Sequence, residues 1–245
     1  MCAKYDSSLR REKLSNAAPR RGEVRPARRT NACEQSDVLI LGAGAAGLFC
    51  AREAAGRGLR VVLLERAAVP GRKLAVSGGG KANFTNRGIT PRDYHSHHDG
   101  TFCVPVLAAF RPEDMLSLVR AWNLPVEERT HGQLFLTVPA QRLVQALVRD
   151  CRDRGCRLVC GATVTSVNHD GEGFSMEAGG ALWRGKTLVL ALGSPAWPQA
   201  GGSGSGYRLA QSLGHTVIPP RPALVPLRPP ADDPDSAGPF GVSRK

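Results

Sequence analysis

The first strongly patterned stretch is Asp37-Val-Leu-Ile-Leu41, a continuous apolar run that predicts a strand buried on both faces. Gly42-Ala-Gly-Ala-Ala-Gly47 follows, and an Ala-rich helix is expected from about Ala45 to Arg57, closed by Gly58 where a left-handed cap needs no Cβ. Leu59-Arg-Val-Val-Leu-Leu64 reads as a second buried strand with Glu65 at its carboxyl end, which completes a βαβ unit. Residues 66–100 carry little period and read as a long loop, a feature that in a compact domain is usually functional. Pro112-Glu-Asp predicts a helix start, with proline and two carboxylates where an N-terminus favours them, and the helix runs to about Trp122. A further helix opens at Pro139: Leu143, Val144, Leu147, Val148 and Cys151 make one apolar stripe, Arg142, Arg149, Arg152 and Arg154 fall on the wet side, and Gly155 ends it.

Beyond Gly155 the period changes from 3.6 to 2. Arg157–Val159, Thr163–Val167, Phe174–Glu177 and Ala181–Trp183 are predicted as short strands of a meander, with turns at His169-Asp-Gly-Glu-Gly and Gly179-Gly. Thr187-Leu-Val-Leu-Ala-Leu192 is again a buried strand, ending at Gly193. Gly201–Gly206 is a second glycine-rich loop, followed by a short helix, Tyr207–Leu213, capped by Gly214. Pro219 to Pro230 contains six prolines and is expected to be irregular. Residues 1–36 show no hydrophobic period and are expected to be a disordered basic leader. The expected organisation is thus a leader at 1–36, a domain at 37–218, and a Pro-rich piece at 219–245.

Composition refines this. The 245 residues are 42% hydrophobic, enough for a core, with 28 Gly and 18 Pro to thread it with turns. Net charge is +12, and residues 1–36 hold nine Lys and Arg against four Asp and Glu. Such a surface attracts polyanions in a salt-dependent way, so an RNA-binding arm and a merely solvated leader both stand as readings of it. No stretch reaches the roughly 18 consecutive apolar residues of a spanning helix. The leader lacks the apolar core of a secretory signal; an organellar transit peptide is opposed by Glu12, Glu23 and Glu34. Seven cysteines without framework spacing suggest reduced thiols and a cytoplasmic location. Cys151, Cys156 and Cys160 lack the paired spacing of a zinc site and read as core residues. His95, His97 and His98 with Asp99 read as exposed loop residues, so no metal site is expected.

A lone G-x-G-x-x-G is weak evidence, but here it sits between a buried strand and a helix. Gly42 permits the tight turn, Gly44 lets backbone approach a pyrophosphate, and Gly47 lets helix and strand pack closely. The helix start then presents unpaired N–H groups and a positive dipole end to phosphates. Glu65, 23 residues after Gly42, is placed to accept hydrogen bonds from adenosine ribose hydroxyls and to repel a 2′-phosphate, which favours FAD or NAD over NADP. A long basic loop and a meander, instead of a further strand–helix alternation, then favour FAD. In that loop Arg66, Arg72, Lys73 and Lys81 can balance a diphosphate, and Ser77, Asn83, Thr85 and Asn86 can meet ribityl and ring atoms.

Gly71-Arg-Lys-Leu-Ala-Val-Ser-Gly-Gly-Gly-Lys-Ala-Asn-Phe-Thr-Asn86 resembles the signature of the BaiN/RdsA-like flavoproteins, also known as the aminoacetone-oxidase family of FAD-binding enzymes. Leu190-Ala-Leu-Gly-Ser-Pro-Ala-Trp-Pro198 and Gly204-Ser-Gly-Tyr-Arg-Leu-Ala-Gln-Ser-Leu-Gly-His215, continuing to Pro222-Ala-Leu-Val-Pro-Leu227, are two further likenesses in the same order. The resemblance implies an α/β fold: a Rossmann-like FAD-binding domain with parallel sheet and meander, and the start of an inserted β-rich domain. It implies non-covalent FAD, electrons from NAD(P)H, and reduction of carbon–carbon double bonds in steroid-like molecules or in ribosomal RNA uridine. An amine-bearing substrate is a further expectation, as is a truncated homologue without catalysis. By match, FAD contacts are expected at Gly42, Gly44, Ala46, Gly47, Glu65, Arg66, Arg72 and Lys73, with Ser77, Gly79, Gly80, Asn83 and Thr85 toward the flavin end. Val164 is expected to meet the adenine through its backbone, and Gly193 to let the chain pass close to the cofactor.

Two departures stand out. Lys81-Ala82 replaces the family's Arg-Cys, which keeps a charge but loses a planar fork and a thiol. Family members are also much longer, with a C-terminal segment that returns to finish the sheet and cover the flavin, so an incomplete site is expected in a chain that stops at Lys245. Neither Ser77 nor Ser203 lies in a nucleophile-elbow motif, so the flavin is expected to carry the reaction.

Overall fold

The computed structural model describes residues 34–94 and 100–221. In chain order its elements are β1 (Glu34–Leu41), α1 (Ala45–Gly56), β2 (Val61–Glu65), α2 (Arg72–Gly80), β3 (Asn83–Asn86), α3 (Val104–Ala109), α4 (Pro112–Ala121), β4 (Val126–Glu128) and β5 (Gln133–Leu136). Then come α5 (Gln141–Asp153), β6 (Arg157–Cys160), β7 (Val164–His169), β8 (Phe174–Ala178), β9 (Ala181–Leu190) and α6 (Ser205–Ser212). A six-stranded sheet runs β6-β2-β1-β9-β8-β7, and a smaller sheet runs β3-β5-β4.

The apolar runs of β1 and β2 are buried on both faces because each face meets a different layer. Val38, Ile40, Val61 and Leu63 pack with α1 and α5, whereas Leu39, Leu41, Val62 and Leu64 pack with Met176, Ala178 and Trp183 of the β7-β8-β9 meander. Alternation of side chains along each strand produces this sorting. The expected Rossmann-type α/β domain with parallel sheet and meander is therefore what the chain folds into.

Several elements differ from the sequence reading. Arg157–Val159 belongs to β6, which pairs parallel with β2 and is not part of the meander. With α5 packed beside α1, β6 is the third parallel strand, reached by a helical crossover. The two strands expected at Ala181–Trp183 and Thr187–Leu192 are one, β9, antiparallel to β8 up to Gly185 and parallel to β1 from Trp183 to Leu190. Gly185 does not break it: a Cβ there would lie 2.7 Å from Leu39 Cγ, so glycine is what lets β9 cross that side chain. The loop expected at 66–100 contains α2 and β3, and β4 and β5 were not anticipated. β1 begins at Glu34, ahead of the expected Asp37. Residues 1–33 of the leader, His95, His97, His98 and Asp99, and residues 222–245 of the Pro-rich piece lie outside the described residues. Among the described residues no helix is long and apolar enough to cross a membrane.

Polar bonds tie the helical layer together. Asp150 on α5 accepts from Arg52 Nε on α1 at 2.7 Å, from Arg154 Nε at 2.7 Å and from Trp122 Nε1 at 3.2 Å. Burial works to raise its pKa, but the hydrogen bonds from Arg154 and Arg52 hold the carboxyl below its ordinary value. Cys151 and Cys156 are core residues, their thiols pushed by burial up to about 11 and about 12 respectively.

Two outcomes follow from this packing. Asp150→Ala is expected to lose about 1–3 kcal/mol at neutral pH, since it removes the acceptor shared by Arg52, Arg154 and Trp122 and leaves Arg52 only its bond to Glu53. Because the folded carboxyl titrates below its unfolded counterpart, that contribution is complete above the ordinary carboxylate pKa. It disappears as pH falls through the folded value. Urea unfolding of both proteins at neutral and acid pH checks this: the gap should close in acid. Gly47→Ala would place a Cβ 1.8 Å from the Gly42 carbonyl oxygen and is expected to cost about 2–4 kcal/mol, read from thermal melting.

Candidate functional site

The carboxyl ends of β1, β2 and β9 open on a crevice of about 370 Å³, at the point where the chain's strand order reverses. Open α/β sheets bind ligands at this position. Its floor is made by close backbone approach. Gly42 has φ +98°, and a Cβ on it would lie 2.5 Å from the Ala191 carbonyl oxygen, so this turn admits only glycine. Gly47 sits behind it with no room for a side chain. Gly44 is different: it has ordinary extended backbone, φ −78° and ψ −171°, and a Cβ there would meet nothing within 4 Å. The protein fills the space at Gly42 and Gly47 but leaves it open at Gly44. No side chain caps α1, so its first amides remain for an acceptor in the crevice.

Glu65 stands at the crevice wall and is held by two backbone amides. Ala43 N donates to Oε2 at 2.7 Å and Ala67 N donates to Oε1 at 2.8 Å. One carboxylate thus joins the turn after β1 to the turn after β2, and each oxygen keeps a further lone pair. The sequence singles out Glu65 by its position but gives no sign of this bracket, which depends on turn geometry alone.

Three cations, Arg66 just after β2 and Arg72 and Lys73 at the start of α2, reach across the same crevice. Arg66 Nη2 donates to the Gly201 carbonyl at 3.4 Å, Arg72 Nη2 to that of Gln199 at 3.1 Å, and Lys73 Nζ to that of Ser194 at 3.4 Å. Val164 and Gly193 complete its lining, together with Thr163, Val69, Ser203 and Ser205, which the sequence reading did not single out.

A second cavity of about 1130 Å³ shares Gly44, Lys73, Ala191 and Gly193 with the first. The shape of α2 positions one wall. Ser77 leaves helical geometry at ψ 151°, Gly78 turns back at φ +57°, and a Cβ on Gly78 would lie 2.5 Å from Asn83 N. That reversal brings Ser77, Asn83 and Thr85 to the cavity, and Ala46 reaches it from the first turn of α1. Gly79 and Gly80 line neither cavity: they carry the turn, and the Gly80 carbonyl accepts from Ala140 N at 2.8 Å. Lys81, counted above among the diphosphate cations, instead donates to the Thr137 carbonyl at 2.8 Å. Ala82 is fully buried in the core. The opposite wall is apolar: Phe49, Phe84, Tyr94, Leu107, Phe110 and Met115. Sequence reading missed this wall because its members come from five separate segments, none of them patterned as a site.

The HI0933-like protein Rossmann domain matches residues 36–243 of this chain. The ribosomal RNA dihydrouridine synthase of Escherichia coli (strain K12) is 39% identical over 194 residues, covering 79% of this chain and 48% of the relative. The 3-dehydro-bile acid delta(4,6)-reductase of Clostridium scindens is 30% identical over 193 residues, covering 78% of this chain and 47% of the relative. The chain spans about half the length of the curated relatives it matches. Among solved structures, the 3-ketosteroid-delta4-(5alpha)-dehydrogenase of Rhodococcus jostii RHA1 superposes with a TM-score of 0.50 at 19% identity, over 69% of this chain and 48% of that one, a likeness of fold alone. The family resemblance read from the glycine-rich signature is thereby borne out, and the chain belongs to the HI0933-like family of Rossmann-domain flavoproteins.

Proposed function

We propose that this chain is the FAD-binding part of an oxidoreductase that takes electrons from NAD(P)H and reduces an unsaturated substrate. The observation that carries the reading is the crevice at Gly44. The fold excludes side chains at Gly42 and Gly47 for its own packing, yet leaves room beside Gly44 where it has no use for it, directly before an uncapped helix. An anion fits that combination of bare amides and positive dipole. Glu65, with lone pairs to spare, suits ribose hydroxyls, and Arg66, Arg72 and Lys73 suit a diphosphate.

In this reading the dinucleotide spans the two cavities, its adenosine in the crevice by Val164 and its ring system toward Ser77, Asn83 and Thr85. When bound, the flavin supplies hydride transfer between a nicotinamide and a carbon–carbon double bond. The chain's own part is position and environment. α1 and the three cations neutralise the diphosphate, Gly193 lets the backbone pass close, and Phe84, Tyr94 and Phe110 offer an apolar wall to the ring system and substrate. An amine-bearing substrate would use the same arrangement.

A second reading, with RNA as substrate, is favoured by the net charge of +12 and by the name of the relative from Escherichia coli. It predicts salt-sensitive retention of RNA, weakened by removal of residues 1–36.

The first test is the visible spectrum of the purified chain before and after titration with FAD. A flavin-coloured protein whose bands shift on binding supports the reading; a colourless one that ignores FAD indicates a fragment without cofactor. Within the same titration, Glu65→Ala is expected to weaken FAD binding by roughly 1.5–3 kcal/mol, the loss of a charged hydrogen-bonding partner. Gly44→Ala is expected to melt like wild type yet bind FAD at least tenfold more weakly, about 1.4 kcal/mol. Unchanged affinity in both variants would place the nucleotide elsewhere.

A further inference from the structure

The segment between β9 and α6 is anchored in an unusual way. Ser194–Gly202 makes its backbone hydrogen bonds within itself: Ala200 N and Gly202 N donate to Trp197 O at 3.1 and 3.3 Å, and Gly201 N donates to Pro198 O at 2.8 Å. Left-handed glycines stand at either end, Gly193 at φ +72° and Gly201 at φ +92°. Trp197 between them also has positive φ, +67°, uncommon for a bulky side chain, and is half exposed. Across the crevice, this segment is tied by the three cations already named, each giving a hydrogen bond to one of its carbonyls.

We propose that Ser194–Gly201 is a strap held over the crevice by Arg66, Arg72 and Lys73, and that the diphosphate of a bound dinucleotide releases it by taking over those donors. The inference rests on the reading of the crevice given under Proposed function. Its physical basis is a competition between acceptors. Three neutral carbonyls hold these cations, two of them at 3.4 Å, the long end of hydrogen-bond distance. A diphosphate brings full negative charge, and charge-assisted bonds are roughly twice as strong as neutral ones. The cations sit on the lining of the same crevice, so satisfying the diphosphate turns them inward and away from the strap. With the ties gone, the strap keeps only its internal turn bonds, a strained Trp197 and two glycine hinges. The dinucleotide would thus order the floor of its site while loosening one rim, and that rim adjoins the larger cavity through Gly193. Cofactor occupancy would thereby control access of the next reactant.

Amide hydrogen exchange of the full chain, read by mass spectrometry with and without FAD, ADP-ribose or AMP, tests this. With FAD or ADP-ribose, amides in 42–48 should slow while those in 195–202 speed up by about 2- to 10-fold, the range expected for losing single hydrogen bonds. AMP, with one phosphate, should slow 42–48 with less effect on the strap. Arg72→Ala should raise strap exchange before any nucleotide is added. Slowing at both 42–48 and 195–202 would overturn the strap while leaving the crevice reading intact. No change at 42–48 with FAD would overturn the crevice reading, and the strap with it.

Discussion

The carbonyl of Gly42 and the Cα of Gly47 lie so close that no side chain fits between them, and Ala191 on β9 crowds Gly42 from the other side. This three-way contact fixes how α1 leaves β1. A helix that starts so near its strand must direct its first amides into the space beyond the sheet, and β9 must arrive alongside for that space to become a crevice. The parallel pairing of β1 with both β2 and β9 supplies those walls. The chemistry assigned to the site depends on this approach, because bare amides and a dipole end recognise a phosphate only if backbone can reach it.

Glu65 extends the same constraint. Its carboxylate holds Ala43 N in the first turn and Ala67 N in the second, so the residue suited to a ribose also sets the shape of the loop suited to a diphosphate. Recognition and scaffold share one side chain. Arg66, Arg72 and Lys73 differ in kind: they are long, partly or fully exposed, and bonded to carbonyls that a charged ligand can replace. On the proposed reading, the site combines a closely packed floor with a rim whose hydrogen bonds a charged ligand would replace.

How much of this the sequence revealed follows the physics of each segment. β1, α1 and β2 were legible because two apolar runs flank glycines whose roles follow from sterics. β6 was misread: a four-residue strand beginning with an exposed Arg157 looks like a meander strand, and only its pairing with β2 tells otherwise. β9 was divided in two at Arg184-Gly-Lys186, where the apolar pattern lapses, whereas Gly185 in fact makes room for Leu39. α2 was hidden by Gly78-Gly79-Gly80, which look like loop and serve to reverse the chain toward Asn83. Of the residues expected at a cofactor, Gly42, Gly44 and Glu65 line the crevice, and their places in the strand–turn–helix pattern made them legible. The aromatic wall of Phe49, Phe84, Tyr94 and Phe110 was not, because tertiary folding alone assembles it.

The large cavity is bounded by a sheet whose central strand is incompletely covered: among the described residues, no strand pairs with Lys186–Leu190 on the side away from β1. The relatives are about twice as long as the stretch they share with this chain. The crevice beside Gly44 is lined by the carboxyl ends of β1, β2 and β9 and by the start of β7. The most direct test is a crystal structure of the chain soaked with FAD. The account predicts a diphosphate against the amides at Gly44 and the start of α1, with the adenosine ribose at Glu65. Density for the dinucleotide at any other place, or a Gly44 crevice closed by side chains, would contradict it.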